Sequence, residues 1–141
     1  MKLLGFNFTK FNAEKFSDNK KGVKLNRSMN ISDVKEISTD MLNTQGKVLA
    51  VYFSNTFDYK PDYAKVELEG KVLVSVDEET GKNVVEEWNN NNPVPEDFRL
   101  KFLNIVAKKS DLKALQFEEE LGIPFHLNLS KVESKKKEES K

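Results

Sequence analysis

The sequence predicts an α+β domain in which a four-stranded antiparallel sheet is followed by a short helix and a long C-terminal helix. Three observations carry this. From Tyr63 to Val76, the residues Ala64, Val66, Leu68, Gly70, Val72, Val74 and Val76 share one parity, with Lys65, Glu67, Glu69, Lys71 and Ser75 opposite. That is the two-residue period of a strand with one buried and one wet face. Three upstream segments alternate in the same way, and beyond Asp77 the apolar period lengthens to that of a helix. All strands precede all helices, which separates α+β from an alternating βα arrangement.

In the first segment Leu4, Phe6 and Phe8 lie on one face, and Phe11 and Ala13 fall on the other parity. A parity switch inside a strand marks a bulge or bend. Asp18-Asn19-Lys20-Lys21-Gly22 is a turn. Val23, Leu25, Met29 and Ile31 then alternate with Lys24, Asn26, Ser28 and Asn30, giving a second strand over 23–31. After a break at Thr44-Gln45-Gly46-Lys47, one face of a third strand carries Leu49, Val51, Phe53, Phe57 and Tyr59. Its other face begins with Val48, Ala50 and Tyr52, so part of the outer face is expected to be covered. Lys60-Pro61-Asp62 suits a tight turn into the fourth strand, making a hairpin.

Asp77 or Thr80 can cap a short helix carrying Val84, Val85 and Trp88, which ends in the run Asn89 to Asn92. Pro95 suits the start of the next helix, with Glu96 and Asp97 in its dipole-favoured first turn. Phe98, Phe102, Ile105 and Leu112 recur at helical spacing, and Leu103, Val106 and Leu115 widen the stripe. A bend is expected near Ser110-Asp111, and Gly122 with Pro124 ends the helix. Residues 1–132 are read as one domain. Residues 133–141 contain only Glu, Lys and Ser, cannot bury apolar surface, and are read as a disordered charged tail.

Composition excludes several functions. In 141 residues, 23 basic and 23 acidic side chains cancel, which argues against nucleic-acid binding by charge alone. Cysteine is absent, removing disulfides, thiolate catalysis and cysteine-ligated metals. The single histidine, His126, excludes a multi-histidine metal site and is read as a loop residue packed against the helix end. Glu118-Glu119-Glu120 and Asp77-Glu78-Glu79 are read as solvated faces, since paired carboxylates do acid–base work only in a pocket that separates their pKa values. No Gly-x-Gly-x-x-Gly or Walker pattern occurs. The apolar run at Met1 to Phe8 is broken at Asn7 and too short for a signal peptide, and no segment approaches the ~20 apolar residues of a membrane span. A cytoplasmic, non-enzymatic protein with no cofactor is the expectation.

The aromatics exceed what one covered sheet face can hide. Tyr52 lies opposite Phe53 and Phe57, and Phe11 leaves the parity of Phe8. Either a second subunit covers the remainder, or an apolar groove is left for a ligand, and one protein can have both.

Four strands, a short helix, a proline break, a long helix and an apolar C-terminal segment together resemble the SecB export-chaperone family. Phe6 to Lys15 is similar to that family's aromatic first strand, and Val23 to Ile31 to its second. Ile123-Pro124-Phe125-His126-Leu127-Asn128-Leu129-Ser130-Lys131-Val132 resembles the family's Phe-Pro-x-Leu-Asn-Leu-x-Pro-Val segment. One residue is added between Pro124 and Leu127, and Lys131 replaces a second proline. The lysine- and asparagine-rich composition suggests an outlying, archaeal member. The resemblance implies a homo-oligomer, dimer or dimer of dimers, that holds unfolded polypeptides without ATP in an apolar aromatic groove, with a link to protein export. Phe11, Tyr52, Phe57, Tyr59 and Trp88 are the residues expected to line that groove. The family's acidic surface, which serves docking to its motor ATPase, is missing from this neutral chain, which argues against that partner. The competing expectation is a non-enzymatic interaction module with one dedicated folded partner.

Overall fold

The computed structural model describes residues 1–38 and 46–127. The expected tail at 133–141, and the last residues of the segment ending at Val132, lie outside them. The elements run β1 (Lys2–Lys15), β2 (Lys24–Ile37), β3 (Lys47–Lys60), β4 (Ala64–Val76), α1 (Glu78–Asn89) and α2 (Glu96–Leu121). The strands form one antiparallel sheet in the order β1-β4-β3-β2. The two most apolar strands are therefore central, and β1 and β2 are its edges.

β3 and β4 pair from Lys47↔Val76 to Tyr59↔Ala64 without a shift. Their hairpin closes through a cis Lys60–Pro61 peptide, Asp62 at φ 45°, and a Tyr63 N–H donated to the Tyr59 carbonyl at 3.0 Å. In β4 the residues on the parity of Val66 are buried and the others are half-buried, as the alternation requires. β1 is one strand whose register shifts between Phe8 and Lys10, which is the irregularity that moves Phe11 off the parity of Phe8. β2 runs past the expected end at Ile31 as far as Ile37. A register shift between Ile31 and Asp33 lets the strand continue with Val34 facing the core. The bulge hid this extension, because it breaks the alternation from which a strand is read.

Asp77 caps α1; its carboxylate accepts from the Thr80 N–H at 3.0 Å and the Thr80 hydroxyl at 2.6 Å. These bonds to Thr80 hold the Asp77 carboxyl below the usual carboxylate range. Its contribution is then present above the ordinary range and lost as pH falls through the lowered value. Asp77→Ala is expected to lower the melting temperature at neutral pH, with the gap to the parent closing in strong acid. A gap that stays constant across that range would contradict the capping account.

α2 is one continuous helix, with no break at Ser110-Asp111, and ends at Gly122 in the left-handed region (φ 65°). Its buried residues Phe98, Phe102, Val106, Ser110, Ala114 and Glu118 recur every four positions. A four-residue step overshoots the helical turn by about 40°, so this stripe winds around the helix as it crosses the twisted sheet. Both helices cover the same sheet face. One core joins Val34, Leu49, Val51, Phe53, Val72, Val74 and Val84 to Phe98, Phe102 and Val106. A second joins Phe57, Tyr59, Tyr63, Ala64, Val66 and Leu68 to Ala114 and Ile123. Between them on β3 and α2 lie two buried polar residues, Asn55 and Ser110. On the opposite sheet face Val48 and Ala50 are also buried, as the doubly apolar start of β3 predicts.

Candidate functional site

Among the described residues, an apolar concavity lies where the edge strand β2 meets the junction of the two helices. Met29 and Ile31 of β2, Trp88 from the last turn of α1, Pro93 and Val94 of the connection, and Leu103 and Arg99 of α2 line a cleft of about 160 Å³. A wider depression of about 390 Å³ is lined by Trp88, Asn91, Asn92 and Pro93. Trp88 and Pro93 thus line both hollows.

Local chemistry explains how the ring is placed. Its Nε1–H donates to Asp33 Oδ1 at 3.2 Å, and the same oxygen accepts the Val34 N–H at 2.8 Å. Asp33 stands at the β2 bulge, so the irregularity that lengthens the strand also supplies the acceptor that holds the indole. Asn91 at φ 59° turns the chain out of α1, and buried Val94 fixes the connection. The outer edge of β2 pairs with no strand among the described residues. Such an edge presents backbone N–H and C=O groups that an extended chain can pair with. Side-chain hollows beside a free edge suit apolar residues of such a chain, with little demand on its sequence.

The five residues expected to line one groove are not brought together. Trp88 lines the cleft. Phe11 is half exposed on β1, at the opposite sheet edge, packed edge-to-face on Phe117 at 5.5 Å with the Lys113 ammonium over its ring. Tyr52 is half-buried on the sheet face opposite the helices, under the Lys35 ammonium at 5.5 Å. Phe57 and Tyr59 are core residues, 0% and 1% exposed. They share the parity of Val51 and Phe53 and lie under α2, so their placement on a groove surface is corrected. Met29, Ile31, Pro93, Val94 and Leu103 were legible only as ordinary strand, break and helix residues. Their meeting depends on β2 being an edge beside the helix junction, which no local pattern encodes.

A buried polar network lies next to the cleft. The Glu118 side chain is fully buried, so this member of the acidic cluster is not a solvated one. Its carboxylate accepts from the Tyr59 hydroxyl, from the His126 N–H at 3.2 Å and from His126 Nδ1 at 2.9 Å. Burial and the Glu118 charge push the Tyr59 phenol well above its ordinary range. His126 Nε2 lies 3.1 Å from Asp111 Oδ1, and Asp111 bridges to Arg27 at 2.7 Å. Arg27 covers the Phe57 ring at 4.6 Å, and His126 packs on the same ring at 4.6 Å. The histidine does pack against the helix end, and the fold brings it the two carboxylates that its neighbours in sequence did not suggest. Among the described residues no three His, Asp or Glu side chains are gathered as a metal site. No described helix is long and apolar enough to cross a membrane.

The architecture is that of a SecB-like α+β fold. The chain is similar to the Mycobacterium tuberculosis SecB-like chaperone solved in complex with a ChAD peptide from the HigA1 antitoxin. The similarity has a TM-score of 0.56 and 12% sequence identity, and covers 94% of this chain and 89% of that one. No family model and no curated protein sequence matches.

Proposed function

We propose that this chain is an ATP-independent holdase that binds unfolded or nascent polypeptides along the β2 edge, with apolar side chains seated in the hollows beside Trp88. The observation that carries the reading is the position of the chain's single tryptophan, half-buried in an apolar cleft beside a strand edge that pairs with no strand among the described residues. The fold supports it, since a chain of the same architecture holds a peptide of another protein. The role requires no cofactor and no catalytic group. Exposed Leu3, Leu4 and Phe16 along and beside β1, with Leu100 and Leu112 on α2, supply apolar surface for a homo-oligomer. The absence of cysteine fits a cytoplasmic site of action. Export of clients is part of this reading only without motor docking, for want of an acidic surface.

The test is light scattering of a chemically unfolded, aggregation-prone protein diluted into increasing amounts of the chain without ATP. Suppression is expected near stoichiometric ratios. Trp88→Ala with Leu103→Ala is expected to raise the half-suppressing concentration about tenfold with an unchanged far-UV CD spectrum, because anchors in desolvated pockets carry most of a binding energy. Equal suppression by the double variant would remove the cleft from the account. One observation favours a second reading: the structural neighbour was solved with a peptide of one particular protein. Absence of suppression would favour a dedicated-partner module over a general holdase.

A further inference from the structure

We propose that residues 123–127 form a strap closed over the second core by a polar clasp, in which the His126 ring is held with one nitrogen on Glu118 and the other on Asp111. Opening this clasp extends the client cleft along β2. The second statement rests on the peptide-binding reading; the first does not.

The clasp follows from geometry. Nδ1 of His126 lies 2.9 Å from Glu118 and Nε2 lies 3.1 Å from Asp111. Both carboxyl groups belong to α2, with Arg27 of β2 and Tyr59 of β3 as the other polar groups of the network. The His126 side chain is only 2% exposed, so its two nitrogens depend on these partners and not on water.

Gly122 ends α2 in the left-handed region and turns the chain back, and Ile123 enters the second core. Pro124, Phe125 and Leu127 are exposed, so this stretch is held by Ile123, by the His126 ring and by the His126 N–H to Glu118. Arg27, the far end of the clasp, donates to the sulfur of Met29, which lines the Trp88 cleft. His126 and Arg27 together cover Phe57. Release of the strap therefore uncovers an aromatic ring beside Arg27, its β2 partner, in line with the existing hollows at Met29.

Two measurements on the full chain test this. Ring-nitrogen NMR of His126 is expected to show a ring N–H that exchanges slowly with water and lies close to the Phe57 ring. A ring N–H in fast exchange with water would overturn the clasp. The double variant His126→Ala/Glu118→Gln removes the clasp without leaving a buried lone carboxylate, and the amide oxygen introduced at position 118 still accepts from Tyr59. Hydrogen exchange is expected to rise more over the end of α2 and the strap than the loss of global stability raises it in the four strands, with client binding about tenfold tighter because the open form is no longer a minor state. A rise at the strap no larger than that across the four strands would show the strap to be a fixed part of the core. Selective opening with no gain in binding would overturn the link to the cleft. Loss of client binding in Trp88→Ala, alongside normal exchange at the strap, separates the cleft from the clasp. If neither parent nor variant binds client, the peptide-binding reading fails, while the ring-nitrogen result still decides the clasp.

Discussion

Gly70→Val is expected to destabilise the protein by about 3 kcal/mol or more, the upper end for overpacking a core. A Cβ at this position would stand 2.6 Å from the Asn7 carbonyl oxygen and 2.7 Å from two atoms of the Phe53 ring. The ring could turn aside only by leaving Phe6 and Phe8, whose centroids lie 5.4 and 6.1 Å from it. The carbonyl belongs to the backbone of β1 and cannot move without breaking the β1–β4 register, where Phe8 pairs with Gly70. Phe53 is also Gly70's direct partner on β3, so an aromatic ring fills the space the glycine leaves open. Equilibrium urea unfolding measures the loss. A change below about 1 kcal/mol would mean that β1 does not lie against β4 in this register.

Glu118→Ala is expected to cost about 3–5 kcal/mol, because it breaks a fully buried charged network from one side. The Tyr59 hydroxyl, the His126 N–H and His126 Nδ1 all lose their acceptor at once. Against a total stability of about 5–15 kcal/mol, that loss brings the folded state near its limit. Glu118→Gln keeps an acceptor for Tyr59 and is expected to cost less, about 1–3 kcal/mol. The comparison uses the same urea midpoints. Wild-type stability in Glu118→Ala would place the carboxylate in solvent and dissolve the network.

Sheet and helices were legible because their signals are local. The alternation in β4, the parity switch between Phe8 and Phe11, the Pro61 turn, the Asp77 cap and the Gly122 stop each depend on a few adjacent residues. The continuation of β2 past Ile31 was not legible, since its bulge at Asp33 breaks the period that announces a strand. The candidate site was legible only at Trp88. Phe57 and Tyr59 have the aromatic character of a binding surface and the parity of the core, and parity decided their fate once both helices covered that face. Glu118 sits in a run of three glutamates, with nothing in its neighbours to mark it as buried. It reaches the interior because the buried stripe of α2 winds around the helix every four residues. His126 became informative only when Asp111, fifteen residues earlier, was brought to its second nitrogen.

In the proposed function, unfolded chains bind beside Trp88. As the single tryptophan, it reports on that cleft without a label. The most direct measurement is its fluorescence during titration with an unfolded client that contains no tryptophan. A saturable blue shift is predicted, with a midpoint matching the suppression of aggregation, as an apolar side chain displaces water from the hollows. An unchanged spectrum at client concentrations where aggregation is fully suppressed would contradict the account and place the binding surface elsewhere on the molecule.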